Sequence, residues 1–224
     1  MFKIQNLLFL DIETCGKYKD FDEFKMEDPD GALIFDHKCE RMGYGSPEFG
    51  YQDKVSLFPE FGKIVCLSYG IWDNGNIIVK SIADENESDL MKKAANLFNK
   101  AGAKGLVPCG WNIKNFDIPW CIRKMLMHGI PVSSSIETYG KKPWEVSITD
   151  LKEWWKSFSN LDVTFEEAAY SLGLPSPKDE MDGSKVHHEY YYNRNHDVIV
   201  KYCEKDVRTM ILMIEKISKI YGNI

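Results

Sequence analysis

The sequence lacks features that would assign it to several common protein classes. It contains no run of about 18 apolar residues, and its N-terminus enters a strand-like pattern without the regions of a signal peptide. We therefore expect a soluble, cytoplasmic protein with no membrane partner. The six cysteines form no C-x-x-C pair, so they indicate neither a zinc ribbon nor a disulfide framework, and most are expected to be small core residues: Cys15, Cys39, Cys66, Cys109, Cys121 and Cys203.

An excess of positive charge is also missing. The formal net charge is -6, with 34 acidic and 28 basic residues. This balance argues against a broad basic face that grips duplex nucleic acid, although it leaves room for a narrow, metal-filled cleft. No Ser-His or Cys-His arrangement stands out, so the sequence does not indicate a side-chain nucleophile.

What the chain does have is enough apolar content for one packed α/β domain. With 224 residues, 44% of them hydrophobic, we expect a single domain over residues 1–224. Residues 16–61 lose periodicity and carry turn signals at 28–31 and 43–47, which predicts an irregular insertion, and we expect it to overhang the end of the first strand. His37 and Cys39 lie in it without two further spaced ligands, so a plain loop is favoured over a metal site.

The central feature is the apolar run of residues 7–10, which ends in Asp11 and Glu13. Continuous hydrophobicity is typical of a buried strand, and side chains at i and i+2 of a strand point to the same face. Two carboxylates so placed repel each other, and a hard cation such as Mg²⁺ or Mn²⁺ would relieve that repulsion. Alternatively, the polar end of the strand simply meets solvent.

Asp117 follows a second apolar strand, predicted at 105–109, and begins a helix that continues to Gly129. An Asp at a helix N-terminus has an ordinary explanation, because it caps free amide groups. The strand before it, however, would end at the same crevice as the first strand, which brings Asp117 towards Asp11 and Glu13.

The remaining pattern predicts alternating strands and helices. Asn74-Gly75 joins two β-rich runs into a hairpin, residues 88–101 have helical periodicity, a short strand is expected at 146–149, and Thr164 opens a helix with a capping box. Trp154 and Trp155 are interpreted as core residues rather than platforms for bases.

Two further segments carry chemistry. Residues 174–195 are predicted to be irregular, and their cations and tyrosines suit the phosphates and bases of a single strand; the cations are Lys178, Lys185 and Arg194. The last helix, predicted over 197–220, places Tyr202 and Asp206 one turn apart on one face. Taken alone, these two could be ordinary polar residues of an amphipathic helix.

Together, residues 11–14, 112–117 and 202–206 closely resemble the three exonuclease motifs of the DEDD 3′-5′ exonuclease superfamily, in order and spacing. The Y-x-x-x-D form of the third motif resembles the DEDDy branch, and the match is closer to stand-alone relatives of the exonuclease domain of family B DNA polymerases. In the DEDDh branch a histidine precedes the last aspartate by five residues, whereas this chain has Lys201 there.

The resemblance implies an RNase H-like α/β fold, with a mixed five-stranded sheet flanked by helices and the hairpin beside the first strand. It implies two Mg²⁺ or Mn²⁺ ions held by Asp11, Glu13, Asp117 and Asp206, with Tyr202 orienting the attacking water. The substrate would be the 3′ end of single-stranded nucleic acid, DNA favoured, and the product a nucleoside 5′-monophosphate. Substrate contacts are expected from motif residues and from the later segment: Ile12, Thr14, Asn112, Phe116, Lys178, Lys185 and Arg194.

Three alternatives remain open at the level of sequence. The chain could be an exoribonuclease, a nuclease for short oligonucleotides, or an RNase H-like module that binds nucleic acid without catalysis. The complete set of four carboxylates argues against the last of these. The sequence does not indicate a protein partner.

Overall fold

The computed structural model describes residues 3–176 and 181–222. Five strands form one mixed sheet in the order β3-β2-β1-β4-β5. The strands are β1 (Leu7–Gly16), β2 (Gly62–Asp73), β3 (Asn76–Ala83), β4 (Val107–Gly110) and β5 (Thr149–Asp150). The mixed five-stranded α/β fold with the hairpin beside β1 confirms the expectation from the sequence.

Strand β1 lies at the centre of the sheet. It pairs antiparallel with β2 and parallel with β4, and its parallel ladder ends at the pair Phe9 and Cys109. The second half of β1 therefore runs past the end of β4. Its last residues pair only with β2, which leaves the β4 side of that half open to groups from the loop after β4.

Nine α-helices surround the sheet in the described part of the chain. They are α1 (Phe21–Glu27), α2 (Pro29–Met42), α3 (Pro47–Lys54), α4 (Glu87–Ala103), α5 (Asp117–Met127), α6 (Leu151–Lys156), α7 (Phe165–Ser171), α8 (Val186–His188) and α9 (His196–Ile220). The Asn74-Gly75 turn and the Thr164 capping box are present as predicted. Among residues 3–176 and 181–222, none of the helices combines the length and apolar character that a bilayer span requires.

The alternation of side chains along β1 separates two cores. Leu8, Leu10 and Ile12 pack with α4 and α5 on one face of the sheet. Leu7 and Phe9 pack with the apolar stripe of α9 on the other face. Because Asp11 and Glu13 follow the same alternation as Leu7 and Phe9, they point to the face that α9 covers.

The prediction of an irregular insertion at 16–61 is wrong in one respect, because the segment forms α1, α2 and α3. Each helix has an N-cap side chain, from Asp20, Asp28 and Ser46 respectively. Their apolar residues form a separate cluster rich in aromatic rings, which includes Phe24, Phe35, Tyr51 and Phe61. Helices this short give little periodicity in a sequence, and the packing of their rings supplies the stability instead.

Residues 174–195 are also more regular than predicted in their described part. Residues 183–193 form consecutive helical turns, the last of them a π-helix over Glu189–Asn193. Buried His187 accepts a hydrogen bond from the Gly16 amide at 3.0 Å and donates one to the Lys19 carbonyl at 2.8 Å. Tyr191 donates to the Lys17 carbonyl at 2.6 Å. This segment therefore holds the chain where β1 continues into the insertion.

The two adjacent tryptophans have different environments. Trp155 packs against the α9 core, whereas the side chain of Trp154 remains 38% exposed. The core interpretation therefore holds for Trp155 and is wrong for Trp154. On a one-turn-and-a-half helix such as α6, two adjacent side chains cannot both face the core.

Candidate active site

Asp11 and Glu13 lie together beneath α9. Asp11 is half-buried and Glu13 is buried. One carboxylate oxygen of each, with the sulfur of Cys203, falls within a group of atoms no more than 4.8 Å apart. A β-bulge in the β1–β2 pairing occurs at this point, between Glu13 and Thr14. Bulges commonly redirect a side chain next to a functional site.

Asp117 reaches the same strand from the other side. As the first residue of α5 it is buried, and its Oδ1 accepts a hydrogen bond from the Ile12 amide at 3.0 Å. This amide belongs to the half of β1 that extends beyond β4, so the carboxylate takes a place where no strand pairs. Asp117 is thus fixed to the residue between Asp11 and Glu13.

Helix α9 brings the remaining groups. Tyr202 is half-buried and hydrogen-bonds to the carboxylate of Asp206, one turn further along the helix. Cys203 is fully buried, and its sulfur lies 3.4 Å from Asp11 Oδ2. The fold therefore brings together all five residues that the sequence singled out for chemistry: Asp11, Glu13, Asp117, Tyr202 and Asp206.

The carboxylates perturb one another strongly. Burial, together with the charges of its neighbours, raises the pKa of Asp11 and that of Glu13 well above their usual range. Burial raises the pKa of Asp117 to about 7, against the opposing effect of its backbone hydrogen bonds. Burial and the neighbouring carboxylates also raise the pKa of Tyr202, so its phenol stays protonated and acts as a hydrogen-bond donor.

This donor set fits divalent cations of the Mg²⁺ or Mn²⁺ type. Hard cations prefer carboxylate oxygens, and these four acids, three of them buried and Asp11 half-buried, repel one another and lack the countercharge that would keep them ionised. The groups that act most strongly on the pKa values of Asp11 and Glu13 are acids and thiols, with no cation among them. A divalent cation would supply the missing positive charge.

Asp150 organises the loop that leads to Asp117. Its buried carboxylate accepts hydrogen bonds from four backbone amides: Asn112 at 3.1 Å, Lys114 at 3.1 Å, Lys152 at 2.9 Å and Glu153 at 3.2 Å. The first two lie in the loop between β4 and α5, and the last two are the start of α6. The side chain of Asp150 therefore fixes both the loop that leads into α5 and the N-terminus of α6.

The predicted substrate contacts near the motifs have different environments. The Ile12 side chain is buried in the core opposite the carboxylates, and the Thr14 hydroxyl donates to the Ser56 carbonyl at 2.7 Å. Asn112 is half-buried in a left-handed conformation with a φ of 58°, which Asn tolerates better than most residues. Phe116 is half-buried and packs against Trp120 with 6.0 Å between ring centroids.

The predicted cations of the later segment lie away from the core. Lys185 is exposed and pairs with Asp182 at 3.7 Å, and Arg194 is exposed at the end of the π-helix. Lys178 lies outside the described residues.

Sequence reasoning missed Asp150 and Cys203. Asp150 follows a short strand and precedes a helix, as Asp117 also does, so the sequence did contain a signal. The four amides that bond to Asp150, however, are brought to it by the fold and could not be read from the sequence. Cys203 was counted among core cysteines, although its place three residues before Asp206 puts it on the same side of α9. The cysteines of the described chain are all free and buried, which agrees with that general interpretation.

The mixed five-stranded sheet flanked by helices is an RNase H-like fold, of the kind found in polymerase exonuclease domains. The fold is similar to that of a family B DNA polymerase from the hyperthermophilic archaeon Pyrobaculum calidifontis, with a TM-score of 0.62 and 16% sequence identity over 95% of this chain. The match covers 24% of the polymerase chain, so this chain spans about a quarter of that protein. At this identity the likeness shows the fold alone.

Residues 57–224 match the family model described as a predicted 3′-5′ exonuclease related to the exonuclease domain of PolB. The chain therefore belongs to that family. No curated protein matches the chain in sequence. The family match begins after most of the α1–α3 insertion and includes Asp117, Tyr202 and Asp206.

Proposed function

We propose that the protein is a metal-dependent 3′-5′ exonuclease that hydrolyses single-stranded nucleic acid, DNA favoured, and releases nucleoside 5′-monophosphates. The observation that carries the proposal is the position of Asp117, whose carboxylate bonds to the amide of Ile12 between Asp11 and Glu13. With Asp206 on α9, this arrangement gathers four acids from three distant parts of the chain. A protein under no demand to bind cations has little reason to keep four acids together in a buried site.

Two ions of Mg²⁺ or Mn²⁺, held by Asp11, Glu13, Asp117 and Asp206, would activate water and stabilise the leaving 3′ oxygen. Tyr202 contributes a protonated phenol, since burial and the adjacent acids raise its pKa. Its hydroxyl already donates to Asp206, and in the enzyme it orients the attacking water. Cys203 donates to Asp11 Oδ2 and holds that carboxylate in one orientation.

Substrate contacts follow from the exposure of each residue. Ile12 and Thr14 would use main-chain groups, because their side chains are buried; for Ile12 this is the carbonyl, since its amide bonds to Asp117. Asn112 and Phe116 would contact the terminal nucleotide. Lys178, Lys185 and Arg194, with the neighbouring tyrosines, would guide the strand. The free, buried cysteines suit a reducing compartment, and we place the protein in the cytoplasm.

The test uses end-labelled single-stranded DNA, single-stranded RNA and mismatched duplex, each with Mg²⁺, Mn²⁺ or EDTA. We expect a ladder of products shortened from the 3′ end, mononucleotide release, faster hydrolysis of DNA than of RNA, and no reaction in EDTA. Asp11→Asn and Asp206→Asn should abolish the reaction and remain folded, because each removes a negative charge from a repelling cluster.

Faster hydrolysis of RNA would instead identify an exoribonuclease, and activity restricted to the shortest strands an oligonucleotide nuclease. Binding of nucleic acid without hydrolysis under any metal condition would identify the non-catalytic module. Hydrolysis that persists in EDTA would contradict the two-metal mechanism.

A further inference from the structure

We propose that a groove beside α5 binds the single strand upstream of its 3′ end, an inference that rests on the proposed function. The groove has a volume of about 580 Å³ and lies between α5 and the segment 138–148. Ile118, Pro119 and Ile122 form part of an apolar floor, and Lys114, Arg123 and Lys141 lie around it. It takes in none of the substrate contacts expected from the motifs or from residues 174–195.

The groove is continuous with the carboxylate site along the chain. Asn115 lines it two residues before Asp117, and Ile118 and Pro119 follow directly. The same helix that presents Asp117 to β1 therefore presents its outer side to the groove. Because Asn115 and Ile118 lie on either side of Asp117 in the chain, a strand whose last phosphodiester lies at Asp117 would have the groove next to it.

Its cations differ in how far they are neutralised. Lys114 pairs with Glu153 at 2.6 Å, and Arg123 pairs with Glu60 at 3.3 Å. Lys141 donates to the Glu137 carbonyl and, within residues 3–176 and 181–222, forms no ion pair with a carboxylate. Exposed ion pairs of this kind are weak, so a phosphate can displace a carboxylate at small cost. In a chain with a net charge of -6, a local group of cations is a distinct feature.

Aromatic side chains stand on the same segment. Tyr139 is 91% exposed and Trp144 is 77% exposed, and the Nζ of Lys142 lies 5.3 Å from the centroid of the Trp144 ring. An aromatic ring that exposed gains nothing from the protein core. Bases of a single strand stack on such rings whatever their sequence, while neighbouring cations follow the phosphates.

This combination favours nucleic acid over a protein partner as the occupant. A purely apolar floor would suit either, but on the segment that borders the groove the exposed rings of Tyr139 and Trp144 flank Lys141 and Lys142, which provides stacking surfaces for bases beside cations for phosphates. The groove would therefore add affinity for strands long enough to reach it.

The test compares the wild type with Trp144→Ala and with the double variant Lys141→Ala/Lys142→Ala. The matched control is Lys100→Ala/Lys104→Ala, which removes two exposed lysines that precede β4, at the opposite end of that strand from the loop to Asp117. The kcat/KM is measured for oligothymidylates of about 3 and about 12 nucleotides, the latter within the usual site size of single-strand binders. Fluorescence anisotropy in EDTA gives the affinity for the longer strand separately.

We expect the wild type and the control to favour the longer strand and both variants of the segment 138–148 to lose most of that preference through KM. Trp144→Ala should weaken binding of the longer strand roughly tenfold. The lysine variant should reduce the slope of log affinity against log salt by about 1.4, for two phosphates on a single strand. Equal kcat/KM for both lengths in the wild type would refute strand binding by the groove, and so would variants of the segment that behave like the control. If the wild type hydrolysed neither strand, the proposed function would be refuted instead. The anisotropy measurements in EDTA would still show whether the groove binds the longer strand.

Discussion

At the scale of single residues, Tyr202 and Asp206 share one face of α9 but have different tasks in the proposed mechanism. Tyr202→Phe removes only a hydroxyl and should lower kcat by about 10² to 10⁴, the range of a positioned proton-handling group. Mn²⁺ affinity and the KM should stay near wild type, because the carboxylates are unchanged. Asp206→Asn should instead weaken Mn²⁺ binding itself, measured by electron paramagnetic resonance. Single-turnover kinetics that show an unchanged chemical rate in Tyr202→Phe would leave the phenol a structural role only.

Asp150 is a positioning residue with no proposed contact to substrate. Asp150→Ala leaves four backbone amides without their acceptor, two of them at the start of α6. We expect the free energy of unfolding to fall by about 3 kcal/mol, for a lost cap and buried amides left unsatisfied. Mn²⁺ affinity should fall as well, because the loop that places Asp117 is released.

Two further variants test this result, one as a partial rescue and one as a control. Asp150→Asn keeps one acceptor oxygen and should recover part of both losses. Asp53→Ala, which removes an exposed carboxylate that pairs with its neighbour Lys54, should change neither quantity. Urea denaturation measures the stability, and an Asp150→Ala protein with wild-type metal affinity would contradict the positioning role.

At the scale of elements, the segment between α7 and α9 is expected to guide the strand. Replacing Lys178, Lys185 and Arg194 by alanine should weaken binding of single-stranded DNA and reduce the salt slope by about 2, for three phosphate contacts. The measurement is a fluorescence titration at several salt concentrations, with Lys100→Ala/Lys104→Ala as the control. A triple variant with wild-type affinity and slope would exclude this segment from substrate binding.

The sequence predicted long elements better than short ones. The hairpin, α4, α5 and α9 followed from sustained periodicity and clear turn signals, and so did the positions of the acids at strand and helix ends. The mixed five-stranded sheet with the hairpin beside the first strand followed from the family resemblance. Helices α1 and α3 were missed because seven or eight residues carry little periodic signal, and α2 was missed because exposed Leu33 and Ile34 stand between buried Ala32 and Phe35 and obscure its apolar face. The contacts among Phe24, Phe35 and Tyr51 exist only after folding. Asp150 was missed for the same reason, since its amide partners come from two separate segments.

At the scale of the whole molecule, the acid cluster should make stability depend on pH. In the metal-free protein, Asp117 has a pKa of about 7, and the pKa values of Asp11 and Glu13 are also raised. The folded state therefore keeps protons that the unfolded chain loses above about pH 4. We expect the free energy of unfolding in EDTA to decrease as pH rises from about 4 to about 7, and Mg²⁺ to remove that decrease.

His187 acts in the opposite direction over part of this range. Burial lowers its pKa, so the unfolded chain binds a proton below about pH 6.5 that the folded state does not, and stability falls as pH falls. The difference between wild type and Asp117→Asn cancels this effect, since His187 is present in both. Urea denaturation in EDTA should show a smaller decrease with pH for Asp117→Asn, and identical profiles would refute the assigned repulsion.

Helix α9 is the last element in this sequence and covers the β1 face that bears Asp11 and Glu13. During synthesis the sheet and the other helices emerge first, because Asp206 on α9 lies almost two hundred residues after Asp11 on β1. A chain released from the ribosome before residue 202 would carry neither Tyr202 nor Asp206. Under the proposed function, unfinished copies of this protein cannot degrade nucleic acid. Nuclease activity would appear only after α9 has been synthesised and has packed on the sheet.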